Sequence, residues 1–299
     1  MARFKRLLTR LERVLELAEH ALAGALPTPP SASDFARDWA FRWDGRRARL
    51  LPIASPTLFD LDDLLGVDEA LRDLERNTRQ FLAKLPYNNV LLHGGRGTGK
   101  SSAVRGLLAR YGDHGLRVVE VDRSHLGDLP RILASLGSGR EYHFLLFCDD
   151  LSFGPGESGH RELKAALEGG LVGRPDNLCI VATSNRRHLL PETMDENRAS
   201  RLDSEGQLQL AESLEEKLAL ADRFGLVIGF YSIDQAGYLE IVRHDLSRAG
   251  IQDFDEELAG EALRWALARG SRSGRSARQF VDDVIGRRGL EEHRGDPPT

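Results

Sequence analysis

Gly94-Gly95-Arg96-Gly97-Thr98-Gly99-Lys100-Ser101 satisfies the P-loop (Walker A) pattern G-x-x-x-x-G-K-[ST] at every fixed position. Such a segment is suited to one kind of chemistry. Its glycines let successive backbone N–H groups curl around phosphate oxygens, the helix that follows points its positive end at them, and the lysine reaches the outer phosphates. Ser101 is placed to ligate magnesium. The lysine is informative in itself, because this chain prefers arginine and its only lysines are Lys5, Lys84, Lys100, Lys164 and Lys217. The competing reading, a glycine-rich turn that opens a helix and binds nothing, leaves the complete motif between a strand and a helix without a cause.

Farther along, the apolar run Phe144-Leu145-Leu146-Phe147-Cys148 ends in Asp149-Asp150. Alone, two aspartates at a strand end are equally well a capped turn. Downstream of a P-loop they form the Walker B arrangement, in which Asp149 holds the magnesium shell and Asp150 orients and deprotonates the attacking water.

The elements that must position these groups follow from hydrophobic patterning. Short apolar runs at 89–93, 116–121, 143–148, 178–183 and 226–230 read as buried strands, with helical runs such as 101–110 and 161–167 between them. That alternation implies a parallel sheet covered on both faces by helices. A helical pattern from about residue 61 to 82 precedes the P-loop strand, and helical patterns at 235–247, 256–268 and 276–287 form a small all-α lid.

At the other end, Phe4, Leu7, Leu8, Leu11, Val14, Leu15, Ala18 and Leu22 space as one amphipathic helix, and Pro27, Pro29 and Pro30 with Ser31 and Ser33 read as a linker. Trp39, Phe41 and Trp43, then Asp44-Gly45 and residues 47–53, read as a hairpin whose aromatics are core rather than a base-stacking platform. The expected division is an accessory helix and hairpin over 1–57, an α/β core over 58–232, a helical lid over 233–288 and a disordered tail over 289–299.

With 299 residues and 41% hydrophobic content, the chain can bury one large or two modest cores, and a net charge of -5 offers no global attraction to nucleic acid or anionic membrane. Cys148 and Cys179 lie inside apolar runs and read as core residues. His125, His143, His160 and His188 fall on different elements without ligand spacing, so surface or satisfied core positions are expected and no structural metal is. No apolar stretch reaches the roughly 18 residues that suggest a transmembrane segment, and a cytoplasmic setting is the consistent expectation.

Taken together, these residues resemble the AAA+ ATPases, over roughly 58–288 and through more than the two Walker motifs. Leu64-Leu65-Gly66-Val67 is similar to the stretch that wraps adenine, which implies Gly66 and Val67 as nucleotide contacts. Ala182-Thr183-Ser184-Asn185 is similar to sensor 1, which implies that Asn185 polarises the attacking water with Asp150. Ala221-Asp222-Arg223-Phe224 resembles the arginine-finger box, and Gly274-Arg275-Ser276-Ala277-Arg278 resembles sensor 2, with Arg275 the better match and Arg278 the reserve.

More narrowly, Gly97 to Ser102, Phe147 to Phe153 and Ala182 to Leu190 are similar to a bacterial ATP-binding family known only as a domain of unknown function, which brings Ser102 into the nucleotide set. The resemblance implies ATP and Mg2+ as cofactors. It also implies a homo-oligomer, a ring being one form, with active sites at subunit interfaces, and a macromolecular partner that hydrolysis remodels or positions. It names a family without naming a task.

Two departures from the family pattern matter. Most AAA+ proteins have glutamate where Asp150 stands, and a carboxylate one methylene shorter keeps a slow ATP-dependent switch or binding module in contention. Asp122-Arg123-Ser124-His125-Leu126-Gly127 lacks the aromatic-hydrophobic pair with which threading rings grip a substrate, which argues against a powerful unfoldase. A P-loop small-molecule kinase fits poorly with Asn185 and Asp222-Arg223-Phe224. Arg186, Arg187, Arg198 and Arg201 form a basic rim for nucleic acid, a second source of finger arginines, or a solvated loop. Gly154, Gly156 and Gly159, after Phe153, make either a loop that transmits nucleotide state or a plain connector.

Overall fold

A computed structural model describes residues 30–137, 139–151, 159–168, 175–185 and 220–292, and every structural statement concerns these. The amphipathic pattern over 4–22, the loop around Gly154 and Gly156, Arg186, Arg187, Arg198, Arg201, His188 and the side chain of His160 lie outside the described residues.

In chain order the elements are α1 (Ala32–Arg37), β1 (Ala40–Asp44), β2 (Arg49–Pro52), α2 (Asp68–Leu82), β3 (Val90–Gly94), α3 (Lys100–Tyr111), β4 (Leu116–Glu120), α4 (Leu129–Ser135), β5 (His143–Cys148), α5 (Gly159–Glu168), β6 (Leu178–Ser184), β7 (Leu226–Phe230), α6 (Gln235–Arg248), α7 (Glu256–Ala268) and α8 (Gly274–Glu292). The strands form one sheet in the order β2-β1-β4-β5-β6-β3-β7. Among the described strands only the β1–β2 pair is antiparallel.

Successive residues of the central strands point into two different cores, which is why these strands read as unbroken apolar runs. On one face Leu91, Phe144, Leu146, Ile180 and Ala182 pack with Leu163 and Leu167 of α5 and Ile132 of α4. On the other, Val90, Leu92, Leu145, Phe147 and Val181 pack with Leu74 and Phe81 of α2 and Val104 and Leu107 of α3. A third core, including Tyr238, Val242, Ala262, Phe280 and Val284, joins α6, α7 and α8 into the lid.

The hairpin is continuous with this sheet, because β1 pairs in parallel with β4 through Phe41 and Val119. Phe41 and Trp43 are buried as expected, but in the common core, and Trp39 is half-buried. Phe35 of α1 stacks edge-on between Phe41 and Phe144 at 5.0 and 4.9 Å. The buried Arg117 guanidinium donates to the Phe35 carbonyl at 2.6 Å and lies 4.4 Å from the Tyr142 ring centre, tying α1 to β4.

Four local readings are corrected. Ser31 to Ser33 do not form linker, since the Asp34 carboxylate accepts from Ser31 N–H at 2.9 Å and the pair opens α1. The helix expected from about residue 61 starts at Asp68, after a 3-10 turn at Leu61–Asp63 and Gly66 with φ 76°. The last helix runs four residues past the expected boundary, to Glu292, because 289–292 contain no proline and include the helix formers Leu290 and Glu291. His143 is neither exposed nor satisfied. Among the described residues neither ring nitrogen has a hydrogen-bond partner, the ring packs edge-on to Phe81 at 5.1 Å, and burial, followed by the Lys84 charge, pushes its pKa down.

Candidate nucleotide site

The P-loop follows β3, Asp149 and Asp150 follow β5, and Asn185 follows β6, so parallel pairing delivers all three to the carboxyl ends of adjacent strands. That edge of an open parallel sheet, where neighbouring strands lead in different directions, is where such folds hold ligands.

Gly99 is the left-handed N-cap of α3, φ 101°, so Lys100 and Ser101 open the helix with the loop backbone arranged ahead of them. The Lys100 ammonium donates to the Gly94 and Gly95 carbonyls, each at 2.7 Å, and to Asn185 Oδ1 at 3.4 Å. Lys100 is 7% exposed. Burial pushes its pKa below the ordinary lysine value, Asp149 and Asp150 act against that, and Arg275 lowers it further.

The residues beside it form one connected network. Ser101 Oγ donates to Asp149 Oδ1 at 2.8 Å, leaving a hydroxyl and a carboxylate side by side, a donor set suited to a magnesium ion that keeps several waters. Asn185 Nδ2 donates to Asp150 Oδ1 at 2.6 Å while its carbonyl oxygen faces Lys100, so one amide spans the Asp150 carboxylate and the Lys100 ammonium. Asp150 has φ 52°, the sparsely populated left-handed region, a kind of strain that collects at functional sites.

The remaining predicted contacts divide into two groups. Leu64 packs over Gly99, where an added Cβ would come within 2.7 Å of Leu64 Cδ2, and a Cβ on Gly66 would meet Ile233 at 3.4 Å. Val67, the N-cap of α2, is buried. From the lid side, a Cβ on Gly97 would stand 2.9 Å from Ser273 Oγ and 3.2 Å from Arg275 Cβ, so the start of α8 rests on the P-loop. Of the two sensor 2 candidates, Arg275 is therefore at the loop, whereas Arg278 lies near Asp245 in α6, whose pKa burial raises against the Arg278 charge. Arg96 lies within the loop and is exposed, and Ser102 follows it, half-buried.

Arg223 is not brought to this site. It precedes β7, whose Leu226 is level with Val90 and whose Phe230 is level with Gly94, so it sits at the amino ends of the strands while the P-loop sits at their carboxyl ends. Its guanidinium is ion-paired with Glu168 at the end of α5.

A family model described as "Protein of unknown function (DUF815)" matches residues 36–288. The chain belongs to that family. Among solved structures, a proline-to-glycine mutant of Thermotoga maritima RuvB superposes with a TM-score of 0.54 at 16% identity, covering 78% of this chain and 67% of that one. Aeropyrum pernix Orc1, solved in complex with DNA, superposes with a TM-score of 0.50 at 16% identity, covering 80% of this chain and 63% of that one, so the chain spans less than two thirds of that Orc1. No curated protein matches. At these identities the likeness is one of fold, and it is the AAA+ arrangement of α/β core followed by helical lid.

Within this DUF815 chain, sequence reasoning missed Thr183 as an organiser of the site. Its hydroxyl donates to Asp149 Oδ1 at 2.6 Å and accepts from Asp150 N–H at 2.8 Å, orienting both acids. The available signal was a hydroxyl residue ending an otherwise apolar strand. Ser273, held by reciprocal bonds with Ser276, was missed because serines beside a helix start usually only cap it.

Proposed function

We propose that this protein is an AAA+ ATPase that binds and hydrolyses Mg-ATP and couples the cycle to remodelling or positioning a macromolecular partner. The observation that supports it most is the single hydrogen-bonded path Ser101–Asp149–Thr183 beside Lys100–Asn185–Asp150 at the carboxyl edge of the sheet. ATP phosphates would lie in the 94–101 loop, with Lys100 offsetting their charge. Magnesium bound by Ser101 and Asp149 would supply charge neutralisation. The work of the chain's own groups is positioning and electrostatics. Asp150 accepts the proton of the attacking water, Asn185 holds that carboxylate in place, and Arg275 adds positive charge from the lid.

Arg223 is assigned to a neighbouring subunit's site, because its own P-loop lies at the opposite ends of the strands. The protein is accordingly proposed to act as a homo-oligomer. DNA is the first macromolecule to offer it, since the Orc1 structure holds DNA.

Phosphate release by the purified chain, compared with Lys100→Ala, tests the reading. Hydrolysis that survives Lys100→Ala in a folded protein would overturn the site. A second reading, a switch that closes on ATP and turns over slowly, draws on the short carboxylate of Asp150 and its tie to Asn185. It predicts ATP retained over many minutes with little phosphate released.

A further inference from the structure

The segment Asp60-Leu61-Asp62-Asp63, just ahead of the stretch that lies over the P-loop, is held by partners on opposite sides. Asp62 Oδ1 accepts from Arg110 Nη2 at 2.6 Å, and Arg110 Nη1 donates to Glu75 Oε1 at 2.8 Å, so this side of the segment is fixed to α3 and α2 in the core. Leu61 is buried against α3, where a Cβ on Gly106 would come within 2.4 Å of Leu61 Cδ2. Asp63 belongs to the lid side. Its Oδ1 lies 2.9 Å from His244 Nε2 and 3.0 Å from Arg248 Nη1, both on α6.

The spacing is what makes this a junction. His244 and Arg248 are four apart on a helix and so share one face, and both converge on one carboxylate oxygen of the Asp63 side chain, which is 18% exposed. Asp245 stands beside them, its pKa raised by burial against the opposing charges of Arg278 and His244. The next residue after Asp63 is Leu64, which packs on Gly99, the cap of the P-loop helix. A displacement of α6 is therefore passed through one side chain to the residue that covers the loop.

We infer that Asp63, with His244 and Arg248, is a latch between lid and core that fixes how tightly the lid closes over bound nucleotide. Asp63 is a positioning residue here, acting through Leu64 and the lid. The inference rests on the nucleotide-site reading for its consequence, and on the ion pairs alone for its geometry.

The test uses the full chain with donor and acceptor dyes on Glu69→Cys in the core and Glu257→Cys in the lid, both exposed, while Cys148 and Cys179 are buried. Asp63→Asn and Asp63→Arg should lengthen or broaden the core–lid distance and speed release of a fluorescent ATP analogue about fivefold, the lower end of usual couplings between sites. Adding Arg248→Glu to Asp63→Arg should restore both quantities, which a residue needed only for folding would not do. An unchanged distance in folded Asp63→Arg, or a charge-swapped pair that restores nothing, overturns the latch. The distance is read without nucleotide, so a parent protein that binds no ATP analogue would defeat the proposed site and leave the latch measurement standing.

Discussion

The Thr183 hydroxyl donates to Asp149 Oδ1 at 2.6 Å from a position that is 1% exposed, so the acid proposed for magnesium is aimed by a neighbouring strand. The Thr183 hydroxyl oxygen in turn accepts from the Asp150 N–H. Thr183→Val keeps the shape and removes both bonds, leaving Asp149 Oδ1 and the Asp150 N–H without this partner. Hydrolysis is expected to fall about tenfold or more, as for other groups that orient metal ligands, with a raised magnesium requirement. Thr183→Ser should stay close to the parent. Magnesium titrations of phosphate release check this, and equal curves for Thr183→Val and parent would remove Thr183 from the site.

Asp150→Asn preserves the bond geometry to Asn185 and cannot take up a proton. ATP binding should persist while turnover drops by about 10² or more, the usual contribution of a positioned base. Asp150→Glu tests reach against backbone. The longer acid extends toward the water, but this position has φ 52°, which aspartate tolerates better than glutamate, so a faster rate is expected together with a lower Tm. If Asp150→Asn hydrolyses ATP like the parent, Asp150 is not the base.

Lys100 gives a pH signature. Its folded pKa lies below its ordinary 10.5 because of burial, so the buried ammonium costs stability while both folded and unfolded states are protonated. That cost fades as pH rises through the lowered pKa toward 10.5. Nucleotide affinity has the opposite sign, because the phosphates need the ammonium. Affinity for a fluorescent ATP analogue should therefore begin to fall below pH 10.5, earlier than for an ordinary lysine. A flat affinity profile up to that pH would show that Lys100 does not carry the phosphate charge.

What is legible in the sequence is local. The P-loop is contiguous, and strands buried on both faces announce themselves as apolar runs, so β5 and β7 fall where the pattern puts them. Long-range partnership is not legible. Arg42 and Glu120, 78 residues apart, meet only because β1 takes the register Arg42↔Glu120 on β4. Nothing local in Asp62 and Asp63 says that consecutive carboxylates serve different helices. The first helix is hidden because a proline-rich approach outweighs a four-residue capping signal. His143 is hidden because an apolar run gives no information about what faces its first residue.

Arg223 gives the sharpest expectation, since the register of β7 on β3 puts it at the far ends of the strands from its own P-loop. A cation there can serve hydrolysis only by reaching another copy. In the isolated chain it is paired with Glu168, whose side chain is 48% exposed, so that pairing lies where a neighbouring copy can approach. Arginine fingers stabilise charge that develops in the transition state and are worth about 10³ to 10⁵ in rate. Arg223→Ala should thus bind ATP nearly as the parent does and hydrolyse it poorly, and parent activity per subunit should rise with protein concentration. Mixing Arg223→Ala with excess Lys100→Ala decides the matter. The first supplies an intact pocket and the second an intact finger, so mixed interfaces should recover phosphate release that neither variant shows alone. Absence of recovery in mixtures proven by mass measurement to contain both chains would place the finger elsewhere and favour a switch that works as a single subunit.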